Sequence, residues 1–420
     1  MDRFIVRGGE KLYGKPQICS AKNSVLPIIS ATILSEGKTN IADCPKISDV
    51  AVMSEIVTSL GGFASFRGSS LCLDTRNVCE WRMPCDLTKK IRASLFTVGA
   101  LLARFGCASI CRSGGCNIGE RPIDIHIEAF RTLGVDVREG ENVTFKQNKT
   151  VGGKVRLRYP SVGATESVMM FATKLKGETI IENAAAEPEI KDLQNYLNLL
   201  GAKVSGAGSS VVKIDGGFPL KTESVEFLPS KDRIEAGTFL FSGVACGGEM
   251  EFSREDLKNL DATLKILSNN ACKIRPKNDK IVNVEFLSQK SGFGKVDAMP
   301  YPAFPTDLQP QLVACSCFAD GVTVVEDKVF PDRFGYVKEL VKTGADVTVR
   351  GNMCAVVGGK ELFGATMDAC DLRGGAALLI AALGAKGKSE ILNVRHIDRG
   401  YCSLEKTFRA LGANVERVTL

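Results

Sequence analysis

The sequence predicts an α/β protein of two domains, each built from three copies of one two-helix, four-strand unit. Three observations predict it. A helical run ends in Leu-Gly-Ala-x-Val or a close variant six times, at Leu60-Gly61, Leu133-Gly134-Val135, Leu200-Gly201-Ala202, around Asn270-Ala271, at Gly344-Ala345 and at Leu411-Gly412-Ala413. The marks fall roughly 70 residues apart, and marks one and four, two and five, and three and six are each separated by roughly 210 residues, half the chain. A glycine followed by β-rich residues also recurs, as in Gly37-Lys38-Thr39-Asn40-Ile41, Gly177-Glu178-Thr179-Ile180-Ile181, Gly321-Val322-Thr323-Val324-Val325 and Gly387-Lys388-Ser389-Glu390-Ile391.

Each element follows from its residues. Ahead of each such glycine lies an Ala/Leu-rich segment of helical length, as at residues 24–34 and 92–103, apolar on nearly all sides and so expected to be buried. After the glycine come a strand, a turn and an amphipathic helix that ends at the Leu-Gly mark, where glycine takes the left-handed cap. Alternating strands close the unit, giving helices wrapped by sheet. Residues 1–7 read as a short strand, and residues 1–21 precede the first buried helix. One domain is therefore expected over residues 22–229 and the other over 1–21 plus 230–420, with two chain crossings between them. A cleft between two such domains suits a ligand.

Composition narrows the function. The chain has 420 residues, 44% of them apolar, with 42 glycines and a net charge of +6. No basic run or aromatic-basic interleaving points to nucleic acid, and no apolar stretch is long enough to span a bilayer. With no signal peptide at the N-terminus, a cytoplasmic protein is expected. The 15 cysteines are scattered without C-x-x-C pairing, so most are expected to be reduced and buried. His126 and His396 are the only imidazoles, and neither has a metal-ligand spacing, so no metal is expected.

Basic residues gather at the predicted helix mouths: Lys22, Arg92, Arg121, Arg233, Arg333, Arg373 and Arg399. Singly, each reads as a solvated surface residue. As a set they stand where cations are disfavoured, because helix N-termini carry partial positive charge. A polyanionic ligand compensates them, with orphan N–H groups and forked arginines as donors. Cys116 lies in the glycine-rich stretch Arg112-Ser113-Gly114-Gly115-Cys116-Asn117-Ile118-Gly119-Glu120-Arg121-Pro122, a loop of lid length. Its flanking arginines favour thiolate. Asp307 follows Pro302 and Pro305 at a helix mouth without its own basic residue. It reads either as an N-cap or as a general base in a cationic pocket.

These residues resemble a known family. Ser20-Ala21-Lys22-Asn23-Ser24-Val25-Leu26-Pro27, the Cys116 loop, Pro160-Ser161-Val162-Gly163-Ala164-Thr165, Glu187-Pro188-Glu189-Ile190, Asp232-Arg233-Ile234-Glu235, Phe304-Pro305-Thr306-Asp307 and Ile397-Asp398-Arg399-Gly400-Tyr401 look like the UDP-N-acetylglucosamine 1-carboxyvinyltransferases, the enolpyruvyl transferases that open peptidoglycan synthesis. The resemblance runs nearly end to end. It implies two inside-out α/β domains of three units each, and transfer of the enolpyruvyl group of phosphoenolpyruvate to the sugar 3-hydroxyl with release of phosphate, without cofactor or metal. It implies that Lys22, Arg121 and Arg399 hold the phosphate and that Arg333 and Arg373 hold the carboxylate. Asn23, Arg92, Pro122, Ile123, Asp124, Ile125, Ser161, Val162, Gly163, Asp307 and Val329 would contact the UDP-sugar, with Arg233 among the binding cations. Cys116 would protonate C3 and Asp307 would take the hydroxyl proton. A cysteine rather than an aspartate at 116 predicts alkylation by an epoxide phosphonate such as fosfomycin.

Three positions depart from the family pattern: Ser20 replaces a usual glycine, Pro331-Asp332 replaces Glu-Asn, and Tyr159 stands where some members carry lysine. Two alternatives are kept. The sister transferase acting on shikimate 3-phosphate shares the repeats, but lacks the Cys116 loop and typically has Lys-Ser where this chain has Lys22-Asn23. A non-catalytic UDP-sugar-binding relative would have no need of Lys22, Cys116, Asp307 and Arg399 together.

Overall fold

The computed structural model describes residues 2–111 and 123–419. Their contacts divide into two compact units. One runs from Ser20 to Ser230; the other joins the residues through Cys19 to those from Lys231 onward.

In the Ser20–Ser230 unit, the helices Lys22–Ala31, Ser94–Phe105 and Val162–Ala172 pack on one another and are buried along almost their whole length. Gly99 permits the closest approach: a Cβ built there would sit 2.1 Å from the carbonyl oxygen of Ser167 on the neighbouring helix. Ser30 and Thr97 hydroxyls meet at 3.1 Å across the other helix pair. Three sheets surround this bundle, and in each an amphipathic helix, Ser48–Ser59, Asp124–Thr132 or Pro188–Leu199, runs between the strand after the glycine and the closing strands. The other unit repeats the plan, with Arg233–Cys246, Gln309–Ser316 and Leu372–Gly384 as its buried helices and three sheets of its own.

The sheets share one pattern. The strand after the glycine pairs antiparallel with the last strand of its unit, and a parallel edge strand arrives from ahead of the buried helix, as Lys154–Arg156 does beside Gly177–Glu182. The two crossing segments supply such edges: Val225–Phe227 joins Lys38–Ile41 in one unit, and Leu12–Gly14 joins Gly248–Ser253 in the other. Arg3–Arg7 lies between Lys388–Leu392 and Asn414–Val418, so the first strand of the chain completes the last sheet.

One sheet departs from the predicted four strands: Cys107–Cys111, Asn142–Gln147 and Val135–Arg138 form a sheet of three. The missing edge is reduced to a single parallel bridge, Arg82 to Ser109. Pro84 has no N–H to give, and the Glu80 carboxylate accepts from Trp81 N and Arg82 N, at 2.8 and 3.0 Å. The Leu-Gly marks behave as read. Gly61, Gly134, Gly201 and Gly412 all have positive φ, between 82° and 100°. The weak fourth mark has Ala271 instead, at φ −142°, because an alanine there avoids the left-handed region.

Candidate active site

In the Ser20–Ser230 unit, Lys22 opens its helix from an extended Ala21 that provides no side-chain cap. Burial of the chain start draws its ammonium inside, where Nζ lies 2.7 Å from Asp49 Oδ2; the two side chains are 11% and 5% exposed. Asp49 belongs to the first turn of the amphipathic helix Ser48–Ser59. Asn23 is half-buried in the next helical position. Ser24 donates to Asp192 Oδ2 at 2.6 Å, and Asp192 also accepts from Ser230 N and Ser230 Oγ. One carboxylate thereby fastens the first helix to the end of its unit. Ser20, the departure from glycine, is buried and donates to the Pro229 carbonyl at 3.4 Å.

Arg92 is half-buried in the turn ahead of Ser94–Phe105. Ser161 caps Val162–Ala172, accepting from Ala164 N at 3.3 Å. Gly163 allows His126 against the same turn, for a Cβ would lie 2.9 Å from its Nε2. Ile123 and Ile125 are half-buried at the start of Asp124–Thr132. Asp124 is engaged by the exposed Arg158 guanidinium, which also reaches Glu128. Tyr159 is 37% exposed, and its carbonyl accepts from Ser161 N. Cys116, Arg121 and Pro122 lie outside the described residues.

The other unit brings three predicted residues together. Arg333 Nη1 lies 2.7 Å from Asp307 Oδ1, and Arg373 Nη2 lies 3.1 Å from Asp307 Oδ2. Both guanidiniums are nearly buried, at 5% and 3% side-chain exposure, while Asp307 keeps 26%. Burial alone would raise the Asp307 carboxyl, but the two arginines outweigh it and hold it well below the usual carboxylate range. Burial also opposes the charge on Arg373, yet Tyr401 and Asp307 keep it protonated more firmly than usual. Arg373 Nε and Nη1 and Arg333 Nε are buried without a hydrogen-bond partner. Two guanidiniums share one carboxylate, and their remaining unpartnered donors are enclosed by protein.

Two sequence readings are corrected here. Asp307 does not cap its helix; it sits within the 3-10 turn Thr306–Leu308, and the helix Gln309–Ser316 begins from Leu308 with no side-chain cap. Its helix mouth has no basic residue of its own, as read, and its arginine partners come from elsewhere in the chain. Helix amides behind Arg233 and Arg373 are also already used. Asp232 accepts from Ile234 N and Glu235 N, and Asp371 accepts from Arg373 N and Gly374 N. Those amides are therefore spent on the capping carboxylates. Arg233 is buried and stacks over the Tyr301 ring at 5.7 Å. Val329 N donates to Asp327 Oδ1 at 2.9 Å, which places Val329 in the turn leading to Arg333. Pro331 and Asp332 are exposed in the same turn, and Arg399 is half-buried at the end of Val394–Arg399.

Sequence reasoning did not find Asp49, Asp192, Thr306 as an arginine partner, or Asp327. A paired Asp in a first helical turn looks like any helix-start acid, so only the tertiary contact reveals it. It expected most cysteines to be reduced and buried. Cys315 and Cys317 are buried free thiols in the core as read, and Cys85 and Cys111 lie side by side with Cα atoms 5.2 Å apart. Among the described residues no helix is long and apolar enough to cross a membrane.

Residues 6–408 match the family described as EPSP synthase (3-phosphoshikimate 1-carboxyvinyltransferase). The chain is 41% identical to UDP-N-acetylglucosamine 1-carboxyvinyltransferase 2 of Caldanaerobacter subterraneus subsp. tengcongensis, over all of both chains. It is 40% identical to UDP-N-acetylglucosamine 1-carboxyvinyltransferase of Geobacter metallireducens, again over all of both. Among solved structures, the enolpyruvyl transferase NikO from Streptomyces tendae shares its fold, with a TM-score of 0.89 at 23% identity over 100% of this chain and 99% of that one. EPSP synthase from Acinetobacter baumannii does so with a TM-score of 0.76 at 16% identity over all of both chains. With 41% and 40% identity to those two carboxyvinyltransferases from end to end, the chain belongs to the UDP-N-acetylglucosamine 1-carboxyvinyltransferase family of enolpyruvyl transferases.

Proposed function

We propose that this protein moves the enolpyruvyl group of phosphoenolpyruvate onto the 3-hydroxyl of UDP-N-acetylglucosamine and releases inorganic phosphate, the first committed step of peptidoglycan synthesis. The observation that carries the reading is the convergence of Arg333 and Arg373 on Asp307, in a chain that follows these transferases from end to end.

The roles follow from charge. Arg333 and Arg373 take the phosphoenolpyruvate carboxylate, while Lys22, Arg121 and Arg399 take its phosphate. Cys116 gives a proton to C3, which makes C2 electrophilic. The sugar 3-oxygen bonds to C2 and its proton passes to Asp307. The tetrahedral species then breaks its C2–O bond to phosphate and loses a C3 proton, regenerating the vinyl ether. Fixed cations around this dense negative charge stabilise it without reorganising at the moment of reaction. Asn23, Arg92, Ile123, Asp124, Ile125, Ser161, Val162, Gly163, Arg233 and Val329 serve the nucleotide sugar. In the structure Asp307 is tied to both arginines, so it becomes a base only when the incoming carboxylate takes them over.

Phosphate release tests the reading. Protein with phosphoenolpyruvate and UDP-N-acetylglucosamine releases phosphate; shikimate 3-phosphate in place of the nucleotide sugar does not. Release with shikimate 3-phosphate alone would assign the chain to the sister reaction, and release with neither would make it a binding protein.

A further inference from the structure

Asp327 is fully buried at the end of the strand Gly321–Asp327, and its backbone N–H donates to Asn352 O at 2.9 Å. Its carboxylate is divided between two tasks. Oδ1 accepts from Val329 N and Phe330 N, at 2.9 and 2.8 Å, and so closes the turn that leads to Arg333. Oδ2 accepts from the Thr306 hydroxyl at 2.6 Å. A carboxylate only accepts, so the Thr306 proton is committed to Asp327. The lone pairs of Thr306 Oγ1 then face outward, and one of them accepts from Arg333 Nη1 at 3.1 Å. The same Nη1 reaches Asp307 Oδ1.

Arg333 is thus held from two sides by one nitrogen, while its Nε is buried without a partner. On the enolpyruvyl-transfer reading, one of those holds must break, because Asp307 cannot accept a proton while both arginines occupy it. The Thr306 contact has no such duty. We propose that Asp327 and Thr306 are a positioning pair that keeps Arg333 aimed at the phosphoenolpyruvate carboxylate after Asp307 lets go. Neither residue touches the reacting atoms. Asp327 sets the direction of the Thr306 proton, and Thr306 sets the position of the guanidinium.

The proposal rests on the transfer reading for its kinetic arm and on the protein alone for its chemical arm. Thr306→Val keeps the shape and removes the acceptor. It is expected to raise KM for phosphoenolpyruvate about tenfold, the loss of one hydrogen bond to a charged group, with kcat changed by less than about threefold. Thr306→Ser restores KM to within about twofold. Asp327→Asn lets the hydroxyl turn either way and raises the same KM severalfold. The double variant is no worse than Thr306→Val alone, because the two act in series. Additive losses, or a raised KM confined to the nucleotide sugar, would overturn the pair while leaving the transfer reading intact.

Phenylglyoxal labelling of the same folded proteins, mapped by peptide mass, needs no turnover. Arg333 is expected to react faster in Thr306→Val and Asp327→Asn, with Arg373 unchanged. Equal rates at Arg333 in wild type and both variants overturn the proposal even if no acceptor supports phosphate release.

Discussion

Asp49 holds the ammonium of Lys22 at 2.7 Å, and both side chains are almost shut off from solvent. A surface pair of this length contributes little, because water screens it and side-chain entropy opposes it. Inside, water screens the pair little, so removing one partner costs more than it does at the surface. Asp49→Ala is expected to destabilise the protein by about 3 kcal/mol, read as a lower denaturant midpoint. Lys22 would then sit differently, and turnover with phosphoenolpyruvate should fall too. An unchanged midpoint would show that Lys22 finds another partner.

Asp307→Asn tests the base. The amide leaves the volume in place but cannot take a proton, so kcat is expected to fall about 10³-fold. Binding of phosphoenolpyruvate, followed by calorimetry, should hold or tighten, because Arg333 and Arg373 no longer have a carboxylate to leave. Weaker binding with normal kcat would remove Asp307 from the chemistry.

Stability should fall as pH rises through neutrality. Burial, reinforced by Asp232, pushes the Glu235 carboxyl from 4.5 to about 8, against the Cys19 N–H, Lys231 and Arg373, which favour its charge. Between those values the folded chain holds a proton that the unfolded chain has lost. The contribution is therefore complete at low pH and decays by up to about 1.4 kcal/mol per pH unit until pH 8. Glu166, fully buried near Glu187 and Glu189, is raised in the same direction. Glu235→Gln keeps an acceptor for Cys19 N, which lies 2.9 Å from the carboxylate. Its unfolding free energy should vary less steeply with pH than that of wild type, and an identical slope would rule Glu235 out.

Gly99→Ala is expected to cost about 3 kcal/mol, since its methyl would press on the Ser167 carbonyl. Gly153→Ala, where a Cβ meets nothing within 4 Å, should stay within about 0.5 kcal/mol. Thermal unfolding of the two variants side by side checks the contrast.

Thiol chemistry separates Cys116 from the core cysteines. An epoxide phosphonate such as fosfomycin should label Cys116, and Cys116→Ala should lose both labelling and turnover. Cys315→Ala should keep both, because burial pushes the Cys315 thiol far up and out of the reactive form. Labelling that survives Cys116→Ala would reject the assignment.

The repeat architecture was legible because glycine has a conformational signature. Gly61, Gly134, Gly201 and Gly412 occupy the left-handed region that other residues avoid, so each unit leaves a mark in the chain. Buried helices such as Leu372–Gly384 were legible from composition alone. Arg333 and Arg373 could be named as site residues, yet their joint hold on Asp307 could not, because it depends on how separate repeats fold together. Asp327 and Thr306 were invisible for the same reason. Within its own segment, Asp327 is one more acid at the end of a strand, and nothing local says that it will be buried against a hydroxyl.

The placement of Arg3–Arg7 between Lys388–Leu392 and Asn414–Val418 has a consequence for biosynthesis. Residues 3–7 are synthesised some four hundred residues before their partners at 414–418, and wait for them before their sheet can close. The Ser20–Ser230 unit contains all the strands of its own sheets, whereas its counterpart stays unfinished until Asn414–Val418 has been made.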